Sequence, residues 1–208
     1  FPQKHISACS LAVLRSVLAL QGIEVTEETL ISKVKGDYGK NFKNIWNPTL
    51  AKLAVEYGIP TKMYAKWPLF KASVIKGATL EYSKDPNGFK LSEYENNNDG
   101  DRLPEPLSLA YKEMFKAIEL GCEVFYGRLT RQRLVNLVAE GYIIQTSIKT
   151  EKLYHGERPS YHSLLIYSID GNELVYHDPA RSAAMKCKVS SLIRAANDTG
   201  AFMAFKPQ

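Results

Sequence analysis

The sequence predicts an α+β fold, with helices in its first third and strands in its last third. Near the N-terminus, apolar residues recur at helical spacing between recognisable start and stop residues. Near the C-terminus, short runs rich in β-branched and aromatic residues alternate with turn formers. The chain has 208 residues, of which 45% are hydrophobic and 24% charged, so it can bury one sizeable core. We therefore expect one domain over residues 1–208.

Three helices are predicted to lead this domain. Each has an apolar face together with a typical cap or stop residue, such as an N-cap Thr or Asn, a Pro in the first turn or a Gly after the last turn. The predicted segments are 8–21 before Gly22, Thr26 to Val34, and Asn47-Pro48 to Gly58.

The stretch 83–106 differs from its surroundings because it is dense in turn formers and poor in apolar periodicity. We expect a surface insertion there, which either borders a substrate cleft or is functionally neutral. Residues 107–120 then return to helical spacing.

The last third is predicted to be a sheet with one inserted helix. Its elements are a strand Val124–Tyr126, a helix from Thr130 to Ala139, a strand Tyr142–Ile148, a polar loop 149–160, and a hairpin with strands His162–Ile169 and Glu173–His177.

Gly171 and Asn172 are the predicted turn of this hairpin. If they form the turn centre, residues whose numbers sum to 343 pair, and Asp178 lies opposite Leu165. His162 then lies further along the neighbouring strand. Twist, a longer turn or a bulge is needed to bring His162 and Asp178 together.

Four residues have side chains suited to nucleophilic catalysis. Cys9 stands where a polar segment turns into an apolar helix, and the positive end of a helix favours the reactive thiolate. Gln3, six residues upstream, offers an amide donor for an oxyanion. His162 offers a base, and Asp178 on the adjacent strand offers a carboxylate to orient it. Together these are the parts of a cysteine hydrolase.

Three other histidines compete for the role of base. His177 adjoins the candidate carboxylate, but strand alternation places it on the opposite face. His5 is too close to the cysteine in sequence to approach it across a cleft, and His155 lies in the polar loop. We therefore assign the base to His162, because a base needs a carboxylate to orient it.

In their order and spacing these residues resemble the papain-like cysteine peptidases of the bacteriocin-processing, double-glycine leader type. In that family a Gln lies six positions before the nucleophilic Cys, which begins the first helix, and His and Asp follow near the C-terminus. The matching residues here are Gln3, Cys9, His162 and Asp178. The resemblance covers roughly residues 1–30 and 130–208.

The resemblance implies a papain-like fold, in which an N-terminal helical part packs on a C-terminal antiparallel sheet. It also implies a hydrolase that cleaves a peptide or amide bond of a peptide or protein substrate. Cys9 would attack as thiolate, His162 would carry the proton, and Asp178 would fix the imidazole. Gln3 and the backbone N–H of Cys9 would bind the oxyanion. No metal or organic cofactor is expected.

Two other functions stay open. The same triad can transfer an acyl group to an amine instead of water. A non-catalytic peptide-binding module with an idle Cys9 is the alternative outside the enzymes. Ala8 and Ser10 favour it, because many family members have an acidic residue and a Gly at these places.

The charge balance raises the question of a nucleic-acid partner. There are 27 Lys and Arg against 22 Asp and Glu, which gives a net charge of +5 and a pI near 9.0. Apart from Arg128, Arg131 and Arg133, the basic residues are spaced singly, and no Gly-rich phosphate loop is present. We therefore expect no nucleic-acid binding.

Cysteine content and hydropathy bear on the compartment. Cys9, Cys122 and Cys187 form no Cys-x-x-Cys pair and are too few for a disulfide framework, so we expect a reducing compartment and a cytoplasmic protein. No apolar run approaches the roughly 18 residues of a membrane span. The chain opens on Phe1 rather than Met, which leaves open whether an upstream segment was removed. The oligomeric state also stays open.

Overall fold

The computed structural model describes residues 1–4, 8–38, 45–66, 75–82, 89–96, 107–197 and 199–207. In these ranges the chain forms a mixed α+β structure, and no helix there is long and apolar enough to cross a membrane. The helices are α1 Cys9–Leu20, α2 Glu27–Tyr38, α3 Asn47–Glu56, α4 Leu107–Glu119, α5 Arg131–Ala139, α6 Thr150–Leu153 and α7 Val189–Ala196. The strands are β1 Thr61–Ala65, β2 Ile75–Tyr82, β3 Phe89–Asn96, β4 Glu123–Tyr126, β5 Ile143–Lys149, β6 Tyr161–Asp170, β7 Glu173–His177, β8 Met185–Lys188 and β9 Phe202–Phe205.

The three predicted N-terminal helices are present as α1, α2 and α3. Thr26 caps α2 as expected, because its Oγ1 accepts the Thr29 N–H at 3.1 Å. Asn47 is not the cap of α3. Trp46 holds that position in an extended conformation, no side chain caps the helix, and Asn47 is its first residue.

The strands form one sheet in the order β2-β3-β4-β1-β9-β5-β6-β7-β8. All neighbouring pairs are antiparallel except β1 and β4, which are parallel. The sheet therefore departs from the expected C-terminal antiparallel sheet in its one parallel pair and in β1, β2 and β3, which come from the first half of the chain. The chain between β1 and β4 includes β2, β3 and α4, and a connection of that length permits a parallel return. The last strand, β9, inserts between β1 and β5.

The stretch expected as a surface insertion contains a strand of the sheet. β3 lies within 83–106 and pairs with β2 on one side and β4 on the other. Residues 83–88 and 97–106 lie outside the described residues. In the sequence only Phe89 and Leu91 alternate as apolar residues before the pattern breaks, so the strand signal is short and lies between turn formers.

The core is divided between the two faces of the sheet. One cluster packs mainly around α1, α3 and α4, and the other around α5 and α7. β6 contributes to both, because Leu165 belongs to the first cluster and Leu164 and Ile166 to the second. Both faces of β6 are thus buried, which explains its continuous apolar run.

A buried ion pair joins α3 to α4. Lys52 Nζ lies 2.5 Å from Glu113 Oε2, and the two side chains are 10% and 0% exposed. Lys116, which is 56% exposed, reaches the other carboxylate oxygen of Glu113 at 3.3 Å. The packing of α3 against α4 therefore depends on a carboxylate, that of Glu113, which is buried away from water.

We expect Glu113→Ala to lower the free energy of unfolding by about 3–5 kcal/mol, because it leaves the buried Lys52 charge without this carboxylate. Urea denaturation followed by circular dichroism measures the change. The matched control is Lys116→Ala, which removes an exposed partner of the same carboxylate and should cost less than about 1 kcal/mol. Equal losses in the two variants would contradict the role given to burial.

Candidate active site

A β-bulge in the β6–β7 hairpin sets the geometry of the candidate site. Next to the turn, Ser168 pairs with Val175, as the expected register requires. Beyond this point the register shifts by one, and Ile166 pairs with Tyr176. Tyr167 is therefore an extra residue in β6, with no partner in β7.

The bulge changes which face of the hairpin Asp178 occupies. Leu165 pairs with His177, so the next residue, Asp178, falls opposite Leu164 instead of Leu165. Leu164 and His162 are two residues apart and share a face of β6. Of the three ways left open to bring His162 and Asp178 together, the hairpin uses the bulge.

His162 and Asp178 are in direct contact at the end of the sheet where β6 begins and β7 ends. His162 Nε2 lies 2.6 Å from Asp178 Oδ1, and the side chains are 12% and 0% exposed. The N–H of Ala180 also donates to Oδ1, at 2.8 Å. The hydroxyl of Tyr154 donates to Oδ2 at 2.6 Å, and Arg181 Nε lies 3.5 Å from the same oxygen.

These contacts outweigh burial in setting the charges of the pair. Burial raises the pKa of Asp178, but hydrogen bonds from His162 and Tyr154 bring it below its ordinary value. Burial lowers the pKa of His162, whereas its hydrogen bonds with Asp178 and Cys9 raise it to about 9. The pair is therefore a carboxylate and an imidazolium at neutral pH.

Cys9 is the first residue of α1 and is half-buried. Burial raises the pKa of its thiol, but the hydrogen bond and charge of His162, with further hydrogen bonds from Ser163, lower it overall. Because Nε2 of His162 faces Asp178, Nδ1 is the ring nitrogen left for the thiol. The imidazole thus links the thiol to the carboxylate.

Gln3 is held next to the turn that follows Asp178. Its N–H donates to the carbonyl of Pro179 at 2.9 Å. The next N–H, of Lys4, donates to the carboxylate of the buried Glu27 at 3.0 and 3.2 Å. Gln3 Oε1 is buried and has no hydrogen-bond partner among the described residues. A buried amide oxygen without a partner is uncommon in folded proteins.

The described residues include two of the three remaining histidines, His177 and His155. His177 Nε2 lies 3.0 Å from the carbonyl oxygen of Phe1, and its strand position faces away from Asp178. His155 is exposed, and His5 lies outside the described residues.

Sequence reasoning missed Tyr154 and Arg181. The stretch 149–160 was expected to be a solvated loop, but it contains the short helix α6, which brings Tyr154 onto Asp178. The apolar pair Leu153 and Tyr154 within a polar stretch was the only signal. Arg181 lies three residues after Asp178, in the turn after β7. Nothing in the sequence of this turn indicated that its side chain reaches back to Asp178.

Ser10 has a structural partner of its own. Its Oγ lies 2.7 Å from Ser163 Oγ in the interior. The side-chain amide of Gln145 donates to the hydroxyl of Ser163 at 3.3 Å. This network joins the first turn of α1 to β6, at the residue that follows Cys9 in the chain. A Gly at position 10 would lack that hydroxyl.

Comparisons with solved structures give distant likenesses, of which one is described below. A solved structure from Bacillus anthracis, provisionally described as a C39-like peptidase, aligns with 100% of this chain and 94% of its own at 10% identity, with a TM-score of 0.48. A score this low at this identity defines no common fold, so the site rests on its own geometry. No protein-family model and no curated protein matches the chain.

We expect iodoacetamide to alkylate Cys9 at least about tenfold faster than the other two cysteines at pH 7, because alkylation requires the thiolate. Burial raises the pKa of Cys122 to about 12 and that of Cys187 to about 11, whereas the pKa of Cys9 is lowered. Peptide mapping by mass spectrometry of the folded protein measures the three rates. Equal labelling of all three cysteines would contradict the lowered pKa of Cys9.

We expect the His162 imidazole to titrate near pH 9 in the wild type, as its raised pKa requires. With a pKa of about 9, the imidazolium is the main form at neutral pH and is lost as the pH rises through about 9. Asp178→Asn should bring the midpoint down by removing the negative charge. Nitrogen-15 NMR of the imidazole measures it.

The control for this titration is Asp170→Asn, which removes an exposed carboxylate at the other end of β6. It should leave the midpoint of His162 unchanged. A wild-type midpoint at the ordinary value, or an equal effect of the two variants, would refute the coupling of His162 to Asp178.

Proposed function

We propose that this protein is a papain-like cysteine hydrolase that cleaves a peptide or amide bond with Cys9, His162 and Asp178. The observation that carries the proposal is the 2.6 Å contact between the buried Asp178 and His162, whose imidazole also hydrogen-bonds to the thiol of Cys9. Nucleophilic catalysis by cysteine needs this order of groups, since the carboxylate orients the imidazole and the imidazole activates the thiol.

The reaction proceeds in two stages. The Cys9 thiolate attacks the carbonyl carbon, and the C–N bond breaks as the His162 imidazolium gives its proton to the leaving amine. The acyl group is then a thioester on Cys9. Neutral His162 takes a proton from water, the resulting hydroxide displaces the thiolate, and the acid product leaves. Asp178 keeps the imidazole oriented in both stages and stabilises its charged form.

Gln3 and the backbone N–H of Cys9 are the proposed oxyanion donors. The N–H of Cys9 is at the start of α1, where the first N–H groups of a helix have no partner within the helix. The backbone of Gln3, from which the amide extends, is held by its hydrogen bond to Pro179. Donors held rigidly before the reaction stabilise the developing negative charge without reorganisation.

The spacing of Gln3, Cys9, His162 and Asp178 is also the basis for the proposed substrate class. Their order, and the six positions between Gln3 and Cys9, resemble those of the bacteriocin-processing peptidases, so a peptide with a double-glycine cleavage site is the first substrate to test. Acyl transfer to an amine would use the same thioester and differ only in the acceptor.

Incubation of candidate peptides with the wild type and with Cys9→Ala, followed by mass spectrometry, tests the proposal. Products that carry water at the new carboxylate and require Cys9 support a hydrolase. Products that carry an added amine would assign acyl transfer instead. Cleavage that persists in folded Cys9→Ala, or a wild-type Cys9 that does not react with iodoacetamide, would refute the proposed nucleophile.

We expect Gln3→Ala to lower kcat by about 10²–10³, because the amide acts on charge that develops only in the transition state. The alkylation rate of Cys9 should stay nearly unchanged, since alkylation forms no oxyanion. The matched control is Gln132→Ala, which removes an exposed glutamine from α5. An unchanged kcat in Gln3→Ala would remove Gln3 from the proposed machinery.

A further inference from the structure

The two oxygens of the Asp178 carboxylate have different partners. Oδ1 faces His162 at 2.6 Å and accepts the N–H of Ala180 at 2.8 Å. Oδ2 accepts the hydroxyl of Tyr154 at 2.6 Å and lies 3.5 Å from Arg181 Nε. We propose that Tyr154 is a positioning residue, whose hydroxyl keeps the carboxylate ionised and turned toward His162. This inference rests on the proposed function, because it assigns a role within that site.

Tyr154 is itself fixed by the fold of the segment that carries it. Thr150, the first residue of α6, closes this segment, because its N–H donates to the carbonyl of Ser160 at 3.0 Å and its hydroxyl to that of Arg158 at 2.8 Å. The N–H of Tyr154 donates to the carbonyl of Thr150 at 2.8 Å. The phenol ring packs against the second core cluster. The hydroxyl therefore approaches Asp178 from a held position.

Arg181 joins the segment of Tyr154 to the turn after β7. Its guanidinium lies 4.1 Å from the centre of the Tyr154 ring, which is a cation–π distance. It also forms an ion pair with Glu157 on the segment of Tyr154. The same side chain thus covers the Tyr154 ring and reaches Oδ2 of Asp178, so both loops are held together around the carboxylate.

The phenol remains a donor at every pH at which the site would work. Burial, followed by hydrogen bonds with Asp178 and Tyr176, raises the pKa of Tyr154 far above its ordinary value. Tyr176 is buried on β7, two residues before Asp178. If its hydroxyl donates to Tyr154, the proton of Tyr154 is left for Asp178.

The groups that face Asp178 from the surrounding elements define the expected pH behaviour. They are His162 on β6, Tyr176 on β7, Tyr154 after α6, and Arg181 in the turn after β7. Two of these groups, His162 and Arg181, carry positive charge, and the other two are phenols. Among the described contacts, no second carboxylate touches Asp178. Loss of the Tyr154 hydroxyl therefore favours protonation of Asp178 as the pH falls.

This protonation reaches Cys9 through His162. A neutral Asp178 carboxyl no longer holds the imidazolium in place by a charge-assisted hydrogen bond, and an imidazolium that turns away leaves the thiolate without its hydrogen bond and its nearby positive charge. The thiolate is then protonated at a higher pH. A hydroxyl that holds Asp178 ionised thus extends the reactivity of Cys9 toward acid.

The test is the rate of Cys9 alkylation by iodoacetamide as a function of pH, which needs no substrate. In Tyr154→Phe the ring remains and only the hydroxyl is lost. We expect the midpoint of the acid limb to rise by about one pH unit, which is about tenfold in rate on that limb, with the rate at pH 7 changed less than about twofold. A purely structural role would lower the rate at every pH and leave the midpoint in place.

Two further variants keep the proposal falsifiable. Tyr161→Phe is the matched control, because it removes the hydroxyl of an exposed tyrosine next to His162, and its midpoint should equal that of the wild type. Arg181→Gln removes the charge on Oδ2 and keeps Tyr154, so it should raise the midpoint by less. If Tyr154→Phe does not fold, Arg181→Gln carries the test.

The outcomes separate this inference from the proposed function. A wild-type Cys9 with no reactivity below the ordinary pKa of cysteine refutes the hydrolase itself. A reactive wild type whose midpoint is the same in Tyr154→Phe, or in Arg181→Gln where the first variant is unfolded, overturns the role of the Oδ2 contacts and leaves the hydrolase proposal standing.

Discussion

The contact between His162 and Asp178 depends on one extra residue in β6. In a regular hairpin each residue past the turn keeps its face, and Asp178 would project from the face of Leu165. The bulge at Tyr167 shifts the pairing by one and moves Asp178 to the face of His162. A one-residue slip reverses the face of every residue that follows. The charges of the candidate site therefore rest on a local irregularity of the backbone.

Burial and pairing oppose each other at all three groups of the site. Burial by itself favours the neutral forms of Asp178, His162 and Cys9, because charge is poorly solvated in the interior. The hydrogen bonds among these groups reverse that preference in each case. The charged arrangement is thus a property of the group as a whole, and removing one member changes the others.

The N-terminal segment and α1 reach this end of the sheet through several polar contacts. Gln3 is bonded to Pro179, and the N–H of Lys4 to Glu27. Ser10 joins Ser163 on β6. The bonds of Gln3 and Ser10 link the start of the chain to the turn after β7 and to β6, and the bond of Lys4 links it to α2. Together they help to fix Cys9 relative to His162. These polar contacts therefore hold the start of α1, where Cys9 lies, against the sheet.

Local signals in the sequence determined the helices α1 to α5 and the hairpin of β6 and β7. The N-cap of Thr130, whose Oγ1 accepts the Arg133 N–H at 3.2 Å, and the turn at Gly171, where φ is +56°, involve residues a few positions apart. The order of Cys9, His162 and Asp178 was also readable from the sequence. Only the tertiary structure decided the parallel pairing of β1 with β4, the insertion of β9, the bulge at Tyr167, and the contact of Tyr154 with Asp178. These features depend on backbone and side-chain contacts between elements, whose energies no local pattern of residues encodes.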